Sequence, residues 1–151
     1  MRHALALADQ AAAAGDVPVG AVILASDGTI IGEGYNQREV SADPLAHAEL
    51  VALRQAASQL GNWRLDDATV IVTLEPCAMC AGAIAQARLG RLVFGAFDEK
   101  AGAVASLWDL VRDPRLPHRV EVVSGILRQD CESQLAAFFA ARRGDRYTDP
   151  R

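Results

Sequence analysis

Two short motifs constrain this chain more than anything else in it: His47-Ala48-Glu49 and Pro76-Cys77-Ala78-Met79-Cys80. Together they supply one imidazole, two thiols and one carboxylate. Three protein ligands with a fourth position left to water is the pattern of catalytic rather than structural zinc. Zinc draws the pKa of such a water towards neutrality. His47, Cys77 and Cys80 are therefore the candidate ligands of one zinc per chain. Glu49, two residues from His47, is the candidate proton shuttle for that water. A lone C-x-x-C is shared by redox dithiols and structural zinc sites; H-x-E followed by P-C-x-x-C is far more specific. The plainer reading makes both cysteines packed thiols and His47 a satisfied core histidine. The completeness of the pattern argues against it.

A chain of 151 residues, half of them hydrophobic and few aromatic, fits one domain over residues 1–151 with a core of its own. Three cysteines, two of them in the motif, leave Cys131 alone and rule out a disulfide framework, which points to a reducing compartment. The N-terminus opens directly into a helical pattern, with no long apolar stretch or cleavage site of a signal peptide, and no run reaches transmembrane length. The expectation is a cytoplasmic protein away from membranes. A net charge of −4 excludes indiscriminate nucleic-acid binding but leaves room for a local basic patch. Arg142, Arg143 and Arg146 cluster near the C-terminus. On charge alone they read first as a solvated helix end meeting its dipole.

Periodicity predicts a helix over 2–14, then an apolar strand over 17–24. Ser26-Asp27-Gly28 is a hairpin turn, and 29–35 returns as a second strand. Gly32 and Gly34 in that strand indicate a bulge or close backbone approach. Residues 36–44 form a polar loop. Helix is expected over 45–59, carrying His47 and Glu49 in its first turns and closed by Gly61-Asn62. A β-branched strand follows over 69–74, then a helix over 77–88 with Cys77 and Cys80 on one face. Short strands are expected at 91–94 and 120–123, a short helix at 107–111, and a terminal helix over 128–143. Residues 95–106 read as irregular. Strands alternating with helices after an opening hairpin predict an α/β fold: a three-layer α/β/α domain, its central mixed sheet of about five strands covered on both faces. Two helix N-termini would then face each other across the metal, favouring thiolates.

The chain resembles the bacterial tRNA-specific adenosine deaminases of the cytidine/deoxycytidylate deaminase superfamily. Beyond the zinc motifs, the likeness runs through Val17-Pro18-Val19-Gly20-Ala21-Val22 and Gly32-Glu33-Gly34-Tyr35-Asn36. It continues through Val72-Thr73-Leu74-Glu75-Pro76-Cys77, Arg91-Leu92-Val93-Phe94-Gly95, His118-Arg119-Val120 and Phe138-Phe139. The resemblance implies a cytidine-deaminase-like fold and hydrolysis of the wobble adenosine of a tRNA anticodon to inosine, with release of ammonia. It implies zinc and no nucleotide cofactor, a tRNA anticodon stem-loop as partner, and a homodimer. Residue by residue, it implies that Asn36 and Ala48 meet the flipped base and that Asp98 contacts RNA near the target nucleotide. Phe138, Phe139, Arg142 and Arg143 match the helix region that helps hold the anticodon loop. One departure stands out: Phe97 occupies a position where the family often has Arg.

Each of these residues also has a plainer reading. A loop Asn serves turn geometry, and an amphipathic helix places at least one of Phe138 and Phe139 in the core. Asp98 would be merely solvated, Cys131 a buried helix residue, and His3 and His118 free of metal. The rival activity is a free nucleobase or nucleoside deaminase of guanine or cytosine type. The rival class is a non-catalytic, zinc-stabilised RNA-binding module, which would need a fourth protein ligand.

Overall fold

An antiparallel hairpin starts the sheet: β1 (Gly20–Leu24) and β2 (Ile30–Tyr35) meet through the turn at 26–28, as the Ser-Asp-Gly sequence predicts. The computed structural model describes residues 1–147, with side chains up to Arg143. The remaining elements are α1 (Arg2–Ala13), α2 (Ala48–Leu60), β3 (Thr69–Leu74), α3 (Ala78–Gln86), β4 (Arg91–Ala96), β5 (Glu121–Ser124) and α4 (Arg128–Tyr147). The five strands lie in the order β2-β1-β3-β4-β5. β1 is antiparallel to both neighbours, whereas β3, β4 and β5 run parallel. The sheet is mixed and five-stranded, as the sequence predicts.

The two faces are covered differently. Ala21 and Ile23 of β1, with Val70, Val72, Leu92 and Phe94, face α2 and α3 and form the main core with Ala48, Ala52, Ala56, Ala81 and Ile84. Val22 faces the other way, onto Ala4 and Leu7 of α1. α4 lies beside α1, where Gln134 donates to the Leu5 carbonyl and to Asp9, and Arg142 donates to the Gly15 carbonyl. Gly32 and Gly34 answer to close approach and a bulge together. A Cβ at Gly34 would stand 2.4 Å from the Ala48 carbonyl oxygen, and one at Gly32 2.3 Å from that of Ala52. The register also shifts between Ile23 and Leu24. α2 therefore lies directly on the β2 backbone, which fixes where its first turn points.

Several expectations need correcting. α2 begins at Ala48 rather than residue 45, and α3 at Ala78, so His47 and Cys77 stand in extended conformation just outside their helices. Cys77 and Cys80 consequently do not share a helical face; one precedes the first turn that carries the other. The reason at α2 is that Asp43 captures the Leu45 amide and the Asp43 carbonyl that of Ala46, making a turn instead of a helical start. The first strand begins at Gly20 rather than residue 17, since Pro18 carries no N–H for the ladder. No helix forms at 107–111: Leu107 and Trp108 are exposed while Val111 is buried. The amides just before it, Val104 to Ser106, are engaged by the Glu75 carboxylate. Among the described residues no helix is long and apolar enough to cross a membrane.

Candidate active site

His47 and Cys77 each end a loop at the mouth of a helix, and α2 and α3 are neighbours on one face of the sheet. This brings residues thirty apart in the chain together: Nδ1 of His47 lies 3.7 Å from Sγ of Cys77 and 3.5 Å from Sγ of Cys80. All three ligand atoms lie within 4.8 Å of one another, and among the described residues no other His, Cys, Asp or Glu joins such a group. A tetrahedral zinc with Zn–S of about 2.3 Å and Zn–N of about 2.0–2.1 Å holds sulfur and nitrogen about 3.5 Å apart. The donor set and its spacing fit zinc. Cys131 is remote from it: its sulfur lies against Met1, and Gly95 approaches it from β4.

The charges suit a cation. Cys80 donates to Cys77, and with His47 this holds the Cys77 thiol down at about 4, a thiolate at neutral pH. The N-terminus of α3 adds its positive end there. Cys80, which gives that hydrogen bond, is pushed up, and burial adds to the effect. The contact with Cys77 also raises the His47 imidazole. Glu49 sits in the first turn of α2, 4% exposed. Burial raises its carboxyl to about 7, close to the value at which a group both takes and gives protons at neutral pH.

These groups open onto a cavity of about 220 Å³. His47, Ala48 and Glu49 line it together with Val17, Val19 and Asn36 on one side, and Leu74, Asp98 and Ala101 on the other. Asn36 is nearly buried; its amide nitrogen donates to the Val17 carbonyl, and its oxygen accepts from the Arg38 amide. Both plainer and functional readings of Asn36 fit, because each amide atom keeps capacity for a second bond. Asp98 is not simply solvated: its carboxylate accepts from the Lys100 and Ala101 amides.

The C-terminal residues divide. Phe139 lines a groove beside the cavity, shared with Phe97, Asp98, Lys100 and Arg128. Phe138 is half-buried beneath the Arg142 guanidinium, 4.6 Å from its ring, and Arg142 reaches Gly15. Neither phenylalanine belongs to the main core, contrary to the amphipathic expectation; α4 lies against β4 and β3, with Phe139 on its exposed side. Arg143 is exposed, and the side chain of Arg146 lies outside the described residues. Phe97 stacks edge-on against Phe94, with centroids 5.0 Å apart, and Arg128 stands 4.9 Å over its ring. A cation is thus present beside the position where the family often has Arg.

Sequence reasoning missed three residues. Arg38 lines the cavity mouth. Asp16, 1% exposed, accepts from the Glu39 and Val40 amides and so holds the loop that bears Asn36 and Arg38. Glu75, 2% exposed, does the same for residues 98–106. An acid in the Gly-Asp-Val-Pro segment and one directly before Pro-Cys were the available signals. His3 and His118 have ordinary partners, Glu33 and the Leu89 carbonyl.

Comparison with known proteins agrees. Residues 1–96 match the cytidine and deoxycytidylate deaminase zinc-binding region. The chain is 50% identical over 146 residues to the tRNA-specific adenosine deaminase of Haemophilus influenzae, covering 97% of this chain and 84% of that one. It is 45% identical over 143 residues to that of Bacillus subtilis, covering 95% and 88%. A structure solved in a study of A-to-I editing by tRNA:A34 deaminases superposes with a TM-score of 0.85 at 40% identity, covering 89% of this chain and 96% of that chain. A guanine deaminase from Nitrosomonas europaea, at 24% identity and TM-score 0.76, covering 92% and 82%, shares the fold. With identity sustained far beyond the metal motifs, the chain belongs to the tRNA-specific adenosine deaminases within the cytidine and deoxycytidylate deaminase family.

Proposed function

We propose that this protein, one deaminase domain over residues 1–151, hydrolyses the wobble adenosine of a tRNA anticodon to inosine and releases ammonia. The observation that carries the reading is a buried carboxylate, Glu49, facing the same cavity as a three-ligand metal cluster. Zinc held by His47, Cys77 and Cys80 supplies a Lewis acid that makes water nucleophilic at neutral pH. Glu49 takes a proton from the attacking water as the oxygen adds to carbon 6 of adenine. It returns that proton to ring nitrogen 1, then carries the second to the departing amine. One adenosine and one water give one inosine and one ammonia. Asn36 and the Ala48 backbone hold the base, and Asp98 holds the nucleotide beside it. Flipping the base out of its stack costs a few kcal/mol, less in a loop than in a duplex.

The basic residues at the rim support RNA over a free base. Arg38 lines the cavity, and Lys100 and Arg128 line the adjoining groove with Phe97 and Phe139. Phosphates and stacked bases are bound by such pairs. Arg143, further along α4, is read as a phosphate contact. Incubation with an anticodon stem-loop carrying a wobble adenosine should yield inosine, and free adenosine, guanine and cytosine should remain unchanged. Turnover of guanine or cytosine with no inosine in the stem-loop overturns the reading in favour of a free-base enzyme.

The active form is read as a homodimer. α2 and α3 carry an open apolar groove formed by Leu50, Leu53, Ala57, Leu65 and Ala83, with Trp63 62% exposed at its rim. Such a patch on a small domain is the kind of surface a second copy covers. Reduced thiols and a tRNA substrate together imply the cytoplasm.

A further inference from the structure

Glu75 follows the last residue of β3, and its carboxylate carries five donors. The amides of Val104 (3.2 Å), Ala105 (2.7 Å) and Ser106 (2.8 Å) donate to Oε1. The Asp98 amide (3.0 Å) and the Ser106 hydroxyl donate to Oε2. A carboxylate offers about four lone-pair positions, so Glu75 has nothing left with which to move protons. Buried as deeply as Glu49, it is employed differently. The segment it gathers closes onto the metal loop: the Ala103 amide donates to the Pro76 carbonyl, and Gly102 bridges to Cys77. Gly102 permits this closure, since a Cβ there would stand 2.4 Å from the Glu75 carboxyl carbon and 2.5 Å from the Asp98 carbonyl oxygen. Two residues of the gathered segment, Asp98 and Ala101, form one wall of the cavity together with Glu75 itself.

We infer that Glu75 is a positioning residue for the substrate: it holds residues 98–106 as the wall of the cavity and thereby sets how tightly the target nucleotide is gripped. The inference rests on the reading of that cavity as the nucleotide site. A wall that touches the substrate equally in ground and transition states contributes to KM and not to kcat. Replacing one carboxylate oxygen by an amide NH2 sets a donor against donors, so part of the five-fold set must let go.

The test compares the wild-type protein with Glu75→Gln and Gly102→Ala, each with zinc bound, on the anticodon stem-loop. Zinc content, kcat, KM and amide hydrogen exchange are measured. In both variants KM should rise at least tenfold while kcat stays within threefold and zinc remains at one per chain. The amides of Val104, Ala105 and Ser106 should exchange at least tenfold faster, with those of α2 unchanged. A variant that is merely misfolded lowers the active fraction, hence apparent kcat, and leaves KM alone. Unchanged KM in the variants that fold overturns the inference, as does a loss of activity that follows loss of zinc at constant KM. If Glu75→Gln does not fold, Gly102→Ala decides by the same criteria. If the wild type forms no inosine, the functional reading fails by itself. Hydrogen exchange then decides only whether Glu75 holds the wall: fast exchange confined to 98–106 sustains that hold, and unchanged exchange overturns it.

Discussion

At the scale of single residues, the site sets two buried glutamates to opposite work, and their surroundings decide which does what. Glu49 is raised to about 7 by burial, whereas at Glu75 the upward pull of burial is outweighed by hydrogen bonds from the Ser106 hydroxyl and the Asp98, Ala105 and Ser106 amides, which hold its carboxyl below the usual range. On the proposed mechanism, Glu49→Ala keeps zinc and the fold and loses at least ~10²–10⁴-fold in turnover, checked by metal analysis beside inosine formation. Near-normal rates would remove Glu49 from the mechanism. Arg143→Ala should weaken stem-loop binding and flatten its dependence on salt, read as the slope of log affinity against log salt. Arg142 is a poorer probe, since it also ties α4 to Gly15. His47, Glu49, Cys77 and Cys80 were legible in the sequence because their chemistry is written in spacings of two and three residues. Glu75 was not, because its partners lie 23 to 31 residues along the chain and meet it only after β3 and β4 pair.

At the scale of elements, identity was easier to read than boundary. All five strands and the four long helices follow the predicted order. The errors fall where side chains compete with the backbone, at Asp43 before α2 and at the Glu75-bound amides before residue 107. The contact between β2 and α2 offers a sharp test. Gly34→Ala drives a methyl into the Ala48 carbonyl. It should cost about 1–3 kcal/mol as overpacking, seen as a fall of several degrees in Tm, and it should impair turnover because Ala48 and Glu49 move with that turn. Asp16→Ala removes the buried carboxylate that holds the Glu39 and Val40 amides; a cost of about 0.5–1.5 kcal/mol is expected, with faster exchange at those two amides.

At the scale of the whole molecule, the acidic net charge leaves few cations for RNA: Arg38 lines the cavity, and Lys100 and Arg128 line the groove beside it, where Asp98, Glu99 and Glu132 also stand. Association should therefore be salt-sensitive but limited to few phosphates. The apolar groove on α2 and α3 predicts a dimer in sedimentation equilibrium, and Trp63→Glu should shift the population to monomer with the zinc content unchanged. A wild-type monomer at micromolar concentration would set that reading aside. Composition could not locate this face, because exposed apolar residues become a patch only once α2, α3 and the 62–65 turn are folded together.

His47 and Cys77 are the N-caps of α2 and α3, yet neither side chain makes a capping hydrogen bond. Each is turned instead towards the other. A zinc held by His47, Cys77 and Cys80 would tie the two helix starts together, in place of the caps that serine or aspartate provide elsewhere. Chelation should then act less like the loss of a cofactor than like the loosening of a hinge. The opening turns of both helices would fray first, and the turn bearing Glu49 with them, while the sheet beneath stays folded. Catalytic competence and local order would then rise and fall together as zinc is removed and restored.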